Sequence, residues 1–478
     1  MDATEHDEPI EEGAPMMNTQ TQTDVLHDPE CEAGRNPVPV PAPSPAAETV
    51  PSPEEVLRMP DDESDMPPAP VETLSRAEAL ERLHRGLPLC NVRIERMVFQ
   101  GEFPKPVRLE RVVLVRPFFE RASFLDEVTM TYCTLDRMRF GHPTTFAKGW
   151  NLKGSTLVHS CIRGVTVAGP LRCDNVKTRG RLLVDATRFE AMVRFWEARF
   201  DGWVEFKEVQ FAECADFRSL HANEGFVLAN CRFHKDFLFR GATVCKKWEA
   251  DRCRFDGLLD LSKAKLHDFV YLENIEQGPE QRFAFQNAVA ERLLVRTDQL
   301  ENRLASERSG NHAQAVAEYA LLKRVFEGLH RYEQEDWAFY RFKVNQRQCR
   351  AHSWRRPWSE LARFFDWLFL DRGCGYGTNP MRAVAAALVM MLSFALIYMI
   401  GIERLHIDHA PFEGPTTSLP NRLMIGLTTS VAAFTSGFGD LRDVARGGIM
   451  NVFLIVEALL GTLLWGLFIV AFSRKVIR

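Results

Sequence analysis

The 478-residue chain lacks several features that mark common classes of enzymes, metalloproteins and secreted proteins. Its eleven cysteines include no CxxC pair and no zinc-like spacing, which indicates small apolar residues in a reducing cytosol rather than a disulfide or zinc framework. No glycine-rich nucleotide-binding fingerprint is visible, and no secretory signal peptide is seen at the acidic N-terminus. We therefore expect a protein that is not an enzyme and needs no cofactor.

The charges of the chain are distributed very unevenly. Residues 1–75 hold eighteen Asp and Glu but only Arg35 and Arg58, a charge of −16; because the whole chain carries −5, the remaining residues carry +11. This segment is rich in Pro, Glu, Asp, Ala and Ser and cannot bury enough apolar surface to fold. We predict a disordered acidic tail over 1–75, which either solubilises the protein or docks onto a basic surface near a membrane.

An eleven-residue period dominates the next part of the chain. Large apolar residues recur at alternating steps of six and five between Phe189 and Leu272, with alanine at two of the expected positions. A second series lies two residues earlier, at Val193, Val204, Ala215, Phe226, Phe237, Trp248, Leu259 and Val270. A helix would favour steps of three and four, whereas a β-solenoid places one or two side chains of each short strand inside before the chain turns a corner. We predict a β-solenoid over 76–278, with looser repeats before residue 185.

The repeats resemble the pentapeptide-repeat family, whose motif has a large apolar residue at its centre and a small residue two places before. The matching triplets are Ala198-Arg199-Phe200, Ala215-Asp216-Phe217, Cys231-Arg232-Phe233, Cys253-Arg254-Phe255 and Ala264-Lys265-Leu266. The resemblance implies a right-handed quadrilateral β-solenoid with coils of roughly 20–22 residues. The histidines of this segment are scattered and form no catalytic set. We expect the solenoid to bind an unknown cytoplasmic protein or ligand, and no nucleic acid.

Residues 279–352 change to helical spacing, with an apolar stripe at Ala315, Tyr319, Leu322, Val325, Phe326 and Leu329. This pattern predicts a helical hairpin that caps the open end of the solenoid, which would otherwise expose strand edges. Residues 353–380 alternate Trp and Phe with Arg and Asp, which suits a juxtamembrane helix in the membrane interface. A buried soluble helix is the alternative for this segment.

Two apolar runs are long enough to cross a bilayer: 383–402, without a charge, and 449–472, with Glu457 as its one charge. Residues 341–382 hold nine Lys and Arg against three Asp and Glu, and Arg474, Lys475 and Arg478 follow the second run. Because cytoplasmic flanks carry the excess of Lys and Arg, we expect a multi-pass protein of the cell (inner) membrane. Its solenoid and C-terminus then face the cytoplasm, and the lipid bilayer is a partner.

A filter-like motif lies between the two runs. Pro420 can begin a short helix over 420–434, and Thr435-Ser436-Gly437-Phe438-Gly439-Asp440 follows it. These residues resemble the potassium-channel selectivity filter, T-V-G-Y-G-D, with Phe in place of Tyr and Ser in place of Val. Glycine supplies the unusual dihedrals that let rings of backbone carbonyls replace the water of the ion. A second Gly-Tyr-Gly at 375–377 precedes the first run and predicts only a turn.

The resemblance to two-transmembrane potassium channels of the ion channel 2 family implies a filter at Thr435, Ser436, Gly437, Phe438, Gly439 and Asp440, with K⁺ as the permeant ion. It also implies a gating hinge at Gly461. One filter per chain is a quarter of a pore, so a homotetramer is expected. Glu457 should face protein rather than lipid. It either supports the filter through Thr428, Thr429 or Ser430, or is a structural carboxyl.

Three functions compete. The leading one is a tetrameric pore that conducts monovalent cations, K⁺ preferred, with a regulatory or partner-binding solenoid. A four-helix voltage sensor is excluded, because the sequence has only two spans and no regularly spaced arginines before the pore. The alternative is a membrane-anchored pentapeptide-repeat scaffold with a non-conducting, pore-like oligomerisation domain, which Ser436, Arg442 and Arg446 favour. The third is a DNA-like mimic that binds topoisomerases, as some pentapeptide-repeat proteins do. A net-basic ordered part on a membrane argues against it.

Overall fold

The computed structural model describes residues 72–141, 143–350, 357–404, 418–436 and 448–476. All of them belong to one compact unit, 66–478. The predicted acidic tail lies outside the described residues except at its end, where Glu72–Thr73 forms the first strand and Ser75 caps the first helix. After that helix, short strands follow one another to Leu294, and helices follow the strands.

The strands, β1 to β36, are mostly two to four residues long. The first eighteen are β1 Glu72–Thr73, β2 Leu89–Cys90, β3 Val92–Glu95, β4 Val98–Phe103, β5 Val107–Glu110, β6 Val113–Val115, β7 Phe118–Phe124, β8 Val128–Thr131, β9 Thr134–Asp136, β10 Arg139–Gly141, β11 Thr144–Phe146, β12 Trp150–Asn151, β13 Thr156–Val158, β14 Cys161–Arg163, β15 Val165–Val167, β16 Leu171–Arg172, β17 Lys177–Arg179 and β18 Leu182–Asp185. The others are β19 Arg188–Phe189, β20 Val193–Arg194, β21 Arg199–Phe200, β22 Val204–Lys207, β23 Gln210–Phe211, β24 Ala215–Asp216, β25 His221–Ala222, β26 Phe226–Ala229, β27 Arg232–Phe233, β28 Phe237–Leu238, β29 Thr243–Val244, β30 Trp248–Asp251, β31 Arg254–Phe255, β32 Leu258–Asp260, β33 Lys265–Tyr271, β34 Glu276–Gln277, β35 Arg282–Ala284 and β36 Val289–Leu294.

These strands stack in parallel into a β-solenoid. One sheet of ten strands runs β2-β5-β8-β12-β16-β20-β24-β28-β32-β35 and receives one strand from each turn, which gives about ten turns. Its register steps from Val193 to Ala215 to Phe237, so one turn in this region takes 22 residues. A second ten-stranded sheet contains β7, β11 and β15, and a sixteen-stranded sheet folds back on itself at β33 to cover two sides. The predicted solenoid is therefore confirmed.

Both predicted apolar series lie inside the solenoid. The members of the second series are at most 1% exposed, and those of the first at most 4%. Rings on neighbouring turns stack: the ring centroids of Phe211 and Phe233 are 4.7 Å apart, and those of Phe233 and Phe255 are 4.8 Å apart. These distances match the spacing of paired strands, so each aromatic column packs at the pitch of its own backbone.

The small residues of the repeat motif are buried as well. Ala198, Ala215, Cys231, Cys253 and Ala264 are each at most 1% exposed. The Cys231 amide donates to the Cys253 sulfur at 3.4 Å, one turn away, where a larger side chain would separate the coils. Burial raises the pKa of the Cys214 thiol to about 11, and the ten cysteines of the described residues are free thiols. The buried ones among them, Cys133, Cys173, Cys231, Cys253 and Cys374, act as small apolar residues, as the sequence predicts.

The corners of the solenoid use a repeated left-handed backbone conformation. One corner has a positive φ in every turn, at Asn91, Arg111, Tyr132, Gly154, Asn175, Glu197, Ser219, Gly241, Lys263 and Asn287. In the middle turns its amide donates to a carbonyl of the next coil, as from Asn175 to Trp196 at 2.8 Å and from Glu197 to Arg218 at 3.1 Å. These bonds offset the cost of a left-handed residue and explain why few corners need glycine.

Nine α-helices are described. They are α1 Arg76–His84, α2 Thr297–Leu300, α3 Ala305–Arg308, α4 His312–Gly328, α5 Tyr332–Gln348, α6 Pro357–Phe365, α7 Pro380–Ile400, α8 Leu419–Ser436 and α9 Gly448–Val476. A π-helix over Asp366–Gly373 follows α6, and short 3₁₀ helices occur at Gly375–Gly377 and Ile402–Arg404. The Gly-Tyr-Gly at 375–377 thus forms a turn before α7, with a positive φ at all three residues.

Helices cover both ends of the solenoid. At the first turn, α1 buries Ala79 and Leu83 against the core. At the last turn, the predicted stripe of α4 joins the same apolar cluster as the strands. Glu318 of α4 accepts the Phe285 amide at 3.3 Å and the Ser306 hydroxyl at 2.6 Å, so α4 also takes up a backbone donor of the last coil. The strands extend beyond the expected boundary at 278 because β35 and β36 complete a coil whose irregular register hides the eleven-residue period.

Two helices, α7 and α9, are long and apolar enough to cross a membrane. They overlap the predicted spans and are longer at their basic ends, starting at Pro380 and ending at Val476. Asn379 caps α7 by accepting the Met381 amide at 3.0 Å, and Pro380 occupies the first helical position. Their exposed faces are apolar over most of their length, at Leu388, Val389, Leu392, Leu396, Ile449, Val452, Ile455, Leu459, Leu463, Ile469 and Val470.

Candidate functional site

The short helix α8 packs between α7 and α9, and two glycines permit the close contact. A Cβ added at Gly426 would lie 2.4 Å from the Ala395 carbonyl oxygen of α7. A Cβ added at Gly461 of α9 would lie 2.9 Å from the Phe434 carbonyl oxygen near the end of α8. Any larger residue at either position would force the helices apart. The predicted hinge glycine Gly461 lies within a continuous helix and makes this contact with α8.

A buried hydrogen-bond network joins the three helices. Glu457 of α9 is fully buried. The Tyr398 hydroxyl of α7 donates to Glu457 Oε2 at 2.6 Å, and the Ser430 hydroxyl of α8 contacts Glu457 Oε1. Ser430 also lies 2.9 Å from the Met391 carbonyl oxygen of α7. The Glu457 carboxyl on α9 therefore connects directly to one side chain of α7 and one side chain of α8.

Of the three residues predicted to receive Glu457, the structure brings Ser430 to it. Thr428 is exposed and donates to the Ile425 carbonyl of its own helix at 3.0 Å. Because side chains repeat every 3.6 residues around a helix, Thr428 and Ser430 point in different directions. The contact between α8 and Glu457 is thus observed, while its effect on an ion filter stays a prediction.

The predicted filter begins within α8. Thr435 lies in the last turn of the helix and donates its hydroxyl to the Val431 carbonyl at 2.7 Å, and Ser436 is the last helical residue. Gly437, Phe438, Gly439 and Asp440 lie outside the described residues, so their backbone conformation stays a prediction. The helix bounds place these four residues directly after the carboxyl end of α8.

The end of α9 is bound to the helical cap. Arg474 contacts Asp336 at 3.1 Å and Glu335 at 3.5 Å, both on α5, and its guanidinium lies 4.2 Å from the ring centroid of Phe339. Glu335 is almost completely buried and also pairs with Lys323 of α4 at 3.4 Å. A movement of α5 would therefore be transmitted to the last turn of α9.

A second ionic contact joins α5 to the π-helix. Arg347 and Asp371 pair at 2.7 Å with both side chains largely buried, and the Tyr340 hydroxyl donates to Asp371 at 2.7 Å. The predicted juxtamembrane segment itself exposes large aromatic residues, among them Trp358, Phe364 and Phe365. One side of this segment is thus fixed to the cap, and the other presents rings of the kind found at membrane interfaces.

Sequence reasoning missed two of these contacts. Tyr398 is the one tyrosine in the first apolar run, and a buried tyrosine usually finds a partner for its hydroxyl; this signal could have paired it with Glu457. Arg474 was considered only as a topological charge, although Glu335 and Asp336 offer it carboxylates. Across the ranges that the structure describes, no cluster of three or more His, Cys, Asp or Glu could hold a metal ion.

Comparisons with known proteins add no identification. Neither family models, nor curated proteins, nor solved structures gave a match to this chain.

Proposed function

We propose that this chain is one subunit of a tetrameric, potassium-channel-like pore that conducts monovalent cations and prefers K⁺. The observation that carries the proposal is the position of α8. It is an 18-residue helix held between two span-length helices by Tyr398, Ser430 and Glu457, and it ends where Gly437-Phe438-Gly439-Asp440 begins. A helix that ends at this point aims its partially negative carboxyl end at the filter, which favours a cation.

The membrane location supports the same proposal. The exposed apolar faces of α7 and α9 require lipid or neighbouring subunits to cover them. Basic residues precede α7 and follow the apolar part of α9. Since such residues mark cytoplasmic flanks, the solenoid and the C-terminus lie on the cytoplasmic side of the cell membrane. The solenoid is of the right-handed, quadrilateral, pentapeptide-repeat type, and it regulates or localises the pore.

The contact of Arg474 with α5 is the route by which the solenoid would act on the pore. The cap shares its apolar core with the last turns of the solenoid, and α5 binds the last turn of α9 through Asp336, Glu335 and Phe339. A partner that displaces α5 would therefore shift the cytoplasmic end of the inner helix.

Ion flux from liposomes that contain the purified full chain tests the proposal. We expect K⁺ efflux that exceeds Na⁺ efflux and is abolished by Gly437→Ala together with Gly439→Ala. The control is Gly448→Ala, where an added Cβ meets nothing within 4 Å, and it should leave the flux unchanged. Intact tetramers without flux under any condition would instead support a membrane-anchored scaffold, and a monomer would overturn both functions.

A further inference from the structure

A cleft of about 1120 Å³ opens between the cap, the π-helix and the two long helices. One wall is apolar and belongs to α7 and α9, with Ala386, Val389, Met390 and Leu464 among its residues. From Arg382 to Met390 this wall follows eight residues of α7, about 12 Å at 1.5 Å per residue. The cleft is thus open along the part of α7 that enters the hydrocarbon core when the helix crosses a membrane.

The other end of the cleft is basic. Arg347, Arg372 and Arg382 line it together with one acid, Asp371. Arg347 is paired with Asp371 at 2.7 Å, so the acid is already neutralised. Within the described residues, no carboxylate lies within salt-bridge distance of Arg372 or Arg382, and both guanidinium groups are exposed. The mouth of the cleft therefore carries two positive charges that no carboxylate compensates. Guanidinium groups form strong, charge-assisted hydrogen bonds with phosphate oxygens.

Both unpaired arginines are held in position by aromatic rings. The Arg372 guanidinium lies 5.8 Å from the ring centroid of Trp367, five residues earlier in the π-helix. A π-helical turn brings residues five apart onto one face, which an α-helix would not. The Arg382 guanidinium lies 5.1 Å from the ring centroid of Tyr340 on α5. These contacts orient the two cations without consuming their hydrogen-bond donors.

We infer that this cleft binds an anionic phospholipid. The phosphate accepts hydrogen bonds from Arg372 and Arg382, and an acyl chain lies along the wall of α7 and α9. A free phosphate would satisfy the arginines but leave the apolar wall bare, and a neutral lipid would cover the wall but leave two cations uncompensated. The inference rests on the proposed membrane location and does not depend on ion conduction.

Lipid binding to the full-length protein in detergent tests this inference. The probes are phosphatidylglycerol, phosphatidylcholine and glycerol 3-phosphate, with bound lipid counted by native mass spectrometry. We expect phosphatidylglycerol to bind in preference to phosphatidylcholine, and glycerol 3-phosphate to compete weakly. Arg372→Gln with Arg382→Gln should weaken phosphatidylglycerol binding about 30-fold, from about 1 kcal/mol for each arginine.

Matched variants keep the result interpretable. Arg363→Gln removes a positive charge from α6 outside the cleft and should leave binding unchanged. Arg372→Lys with Arg382→Lys retains both positive charges. If the double glutamine variant fails to fold, the double lysine variant takes its place, and it should retain part of the phosphatidylglycerol binding. Equal binding of the two lipids, equal binding by the glutamine variant, or full competition by glycerol 3-phosphate would each overturn the inference. Failure of ion flux with intact lipid binding would count against the pore alone.

Discussion

The solenoid and the three-helix unit of α7, α8 and α9 are stabilised in opposite ways. In the solenoid the same contact is repeated from turn to turn: aromatic rings stack on those of the next turn, and one corner has a positive φ in every turn. In the three-helix unit the contacts are single: one carboxyl, one tyrosine and one serine join the helices, and one glycine lets α9 approach α8. A repeated contact can be predicted from the sequence pattern and is made by many residues. A single contact makes the arrangement of the helices depend on a few residues.

The largest expected effect tests how tolerant the repeated core is. Phe226 is fully buried, and its ring lies 5.4 to 6.3 Å from those of Phe200, Phe206, Phe217 and Phe239. Phe226→Ala should lower the free energy of unfolding by about 3–5 kcal/mol, since it removes a large ring and leaves a cavity. Trp196→Ala on the exposed surface should change it by no more than about 0.5 kcal/mol. Denaturant unfolding followed by circular dichroism measures both, and equal losses would contradict the packing described.

The buried carboxyl of Glu457 provides the corresponding test in the three-helix unit. Glu457→Leu removes the acceptor of Tyr398 and the partner of Ser430, and each polar group left unpaired costs about 1–3 kcal/mol. We expect a smaller tetramer fraction in detergent and loss of K⁺ selectivity in liposomes. Glu457→Gln can still accept from Tyr398 and donate to Ser430, so it should retain the tetramer. If the leucine variant behaves like the wild type, the network does not support the filter.

The glycine contact gives a smaller effect with a close internal control. Gly461→Ala places a Cβ 2.9 Å from the Phe434 carbonyl oxygen, whereas at Gly466 an added Cβ meets nothing within 4 Å. The first substitution should cost about 1–3 kcal/mol through overpacking and should alter ion flux. The second should do neither. Thermal unfolding and liposome flux of the two variants distinguish a packing role from a hinge, because a pure hinge residue would change flux at unchanged stability.

The smallest expected effect tests the connection between the two regions. Arg474→Gln breaks ion pairs with two largely buried carboxylates of α5, of which Glu335 keeps Lys323 as a second partner. Lys475→Gln changes a neighbouring exposed charge. We expect faster hydrogen exchange in the last turn of α9 and a several-fold change in flux for the first variant only. If both variants have the same exchange rate and the same flux, the contact of Arg474 with α5 does not couple the solenoid to the pore.

The two regions also differ in how far the sequence predicts them. Spacing alone assigns the two apolar series between Phe189 and Leu272 to the core, and every member of both series is buried. The prediction ends too early, at 278 rather than Leu294, because β33 pairs with β36 at separations of 24 residues from Leu266 and 23 from Val270 instead of 22, so the period does not continue into the last coil. For the site, the sequence predicts that Glu457 faces protein, and contact with the segment 428–430 is one of the two alternatives it leaves open; its partner Tyr398 is not predicted.

The sequence by itself determined the β-solenoid and the two span-length helices, since both depend on patterns that a short stretch of chain carries and then repeats or extends. Only the tertiary structure decided that Ser430 rather than Thr428 reaches Glu457, that Arg474 binds α5, and that Arg372 stacks on Trp367 at the mouth of the cleft. Each of these contacts depends on the rotation and depth of one helix against another. Helix packing allows several such arrangements for the same apolar pattern, so a single polar contact cannot be read from spacing alone.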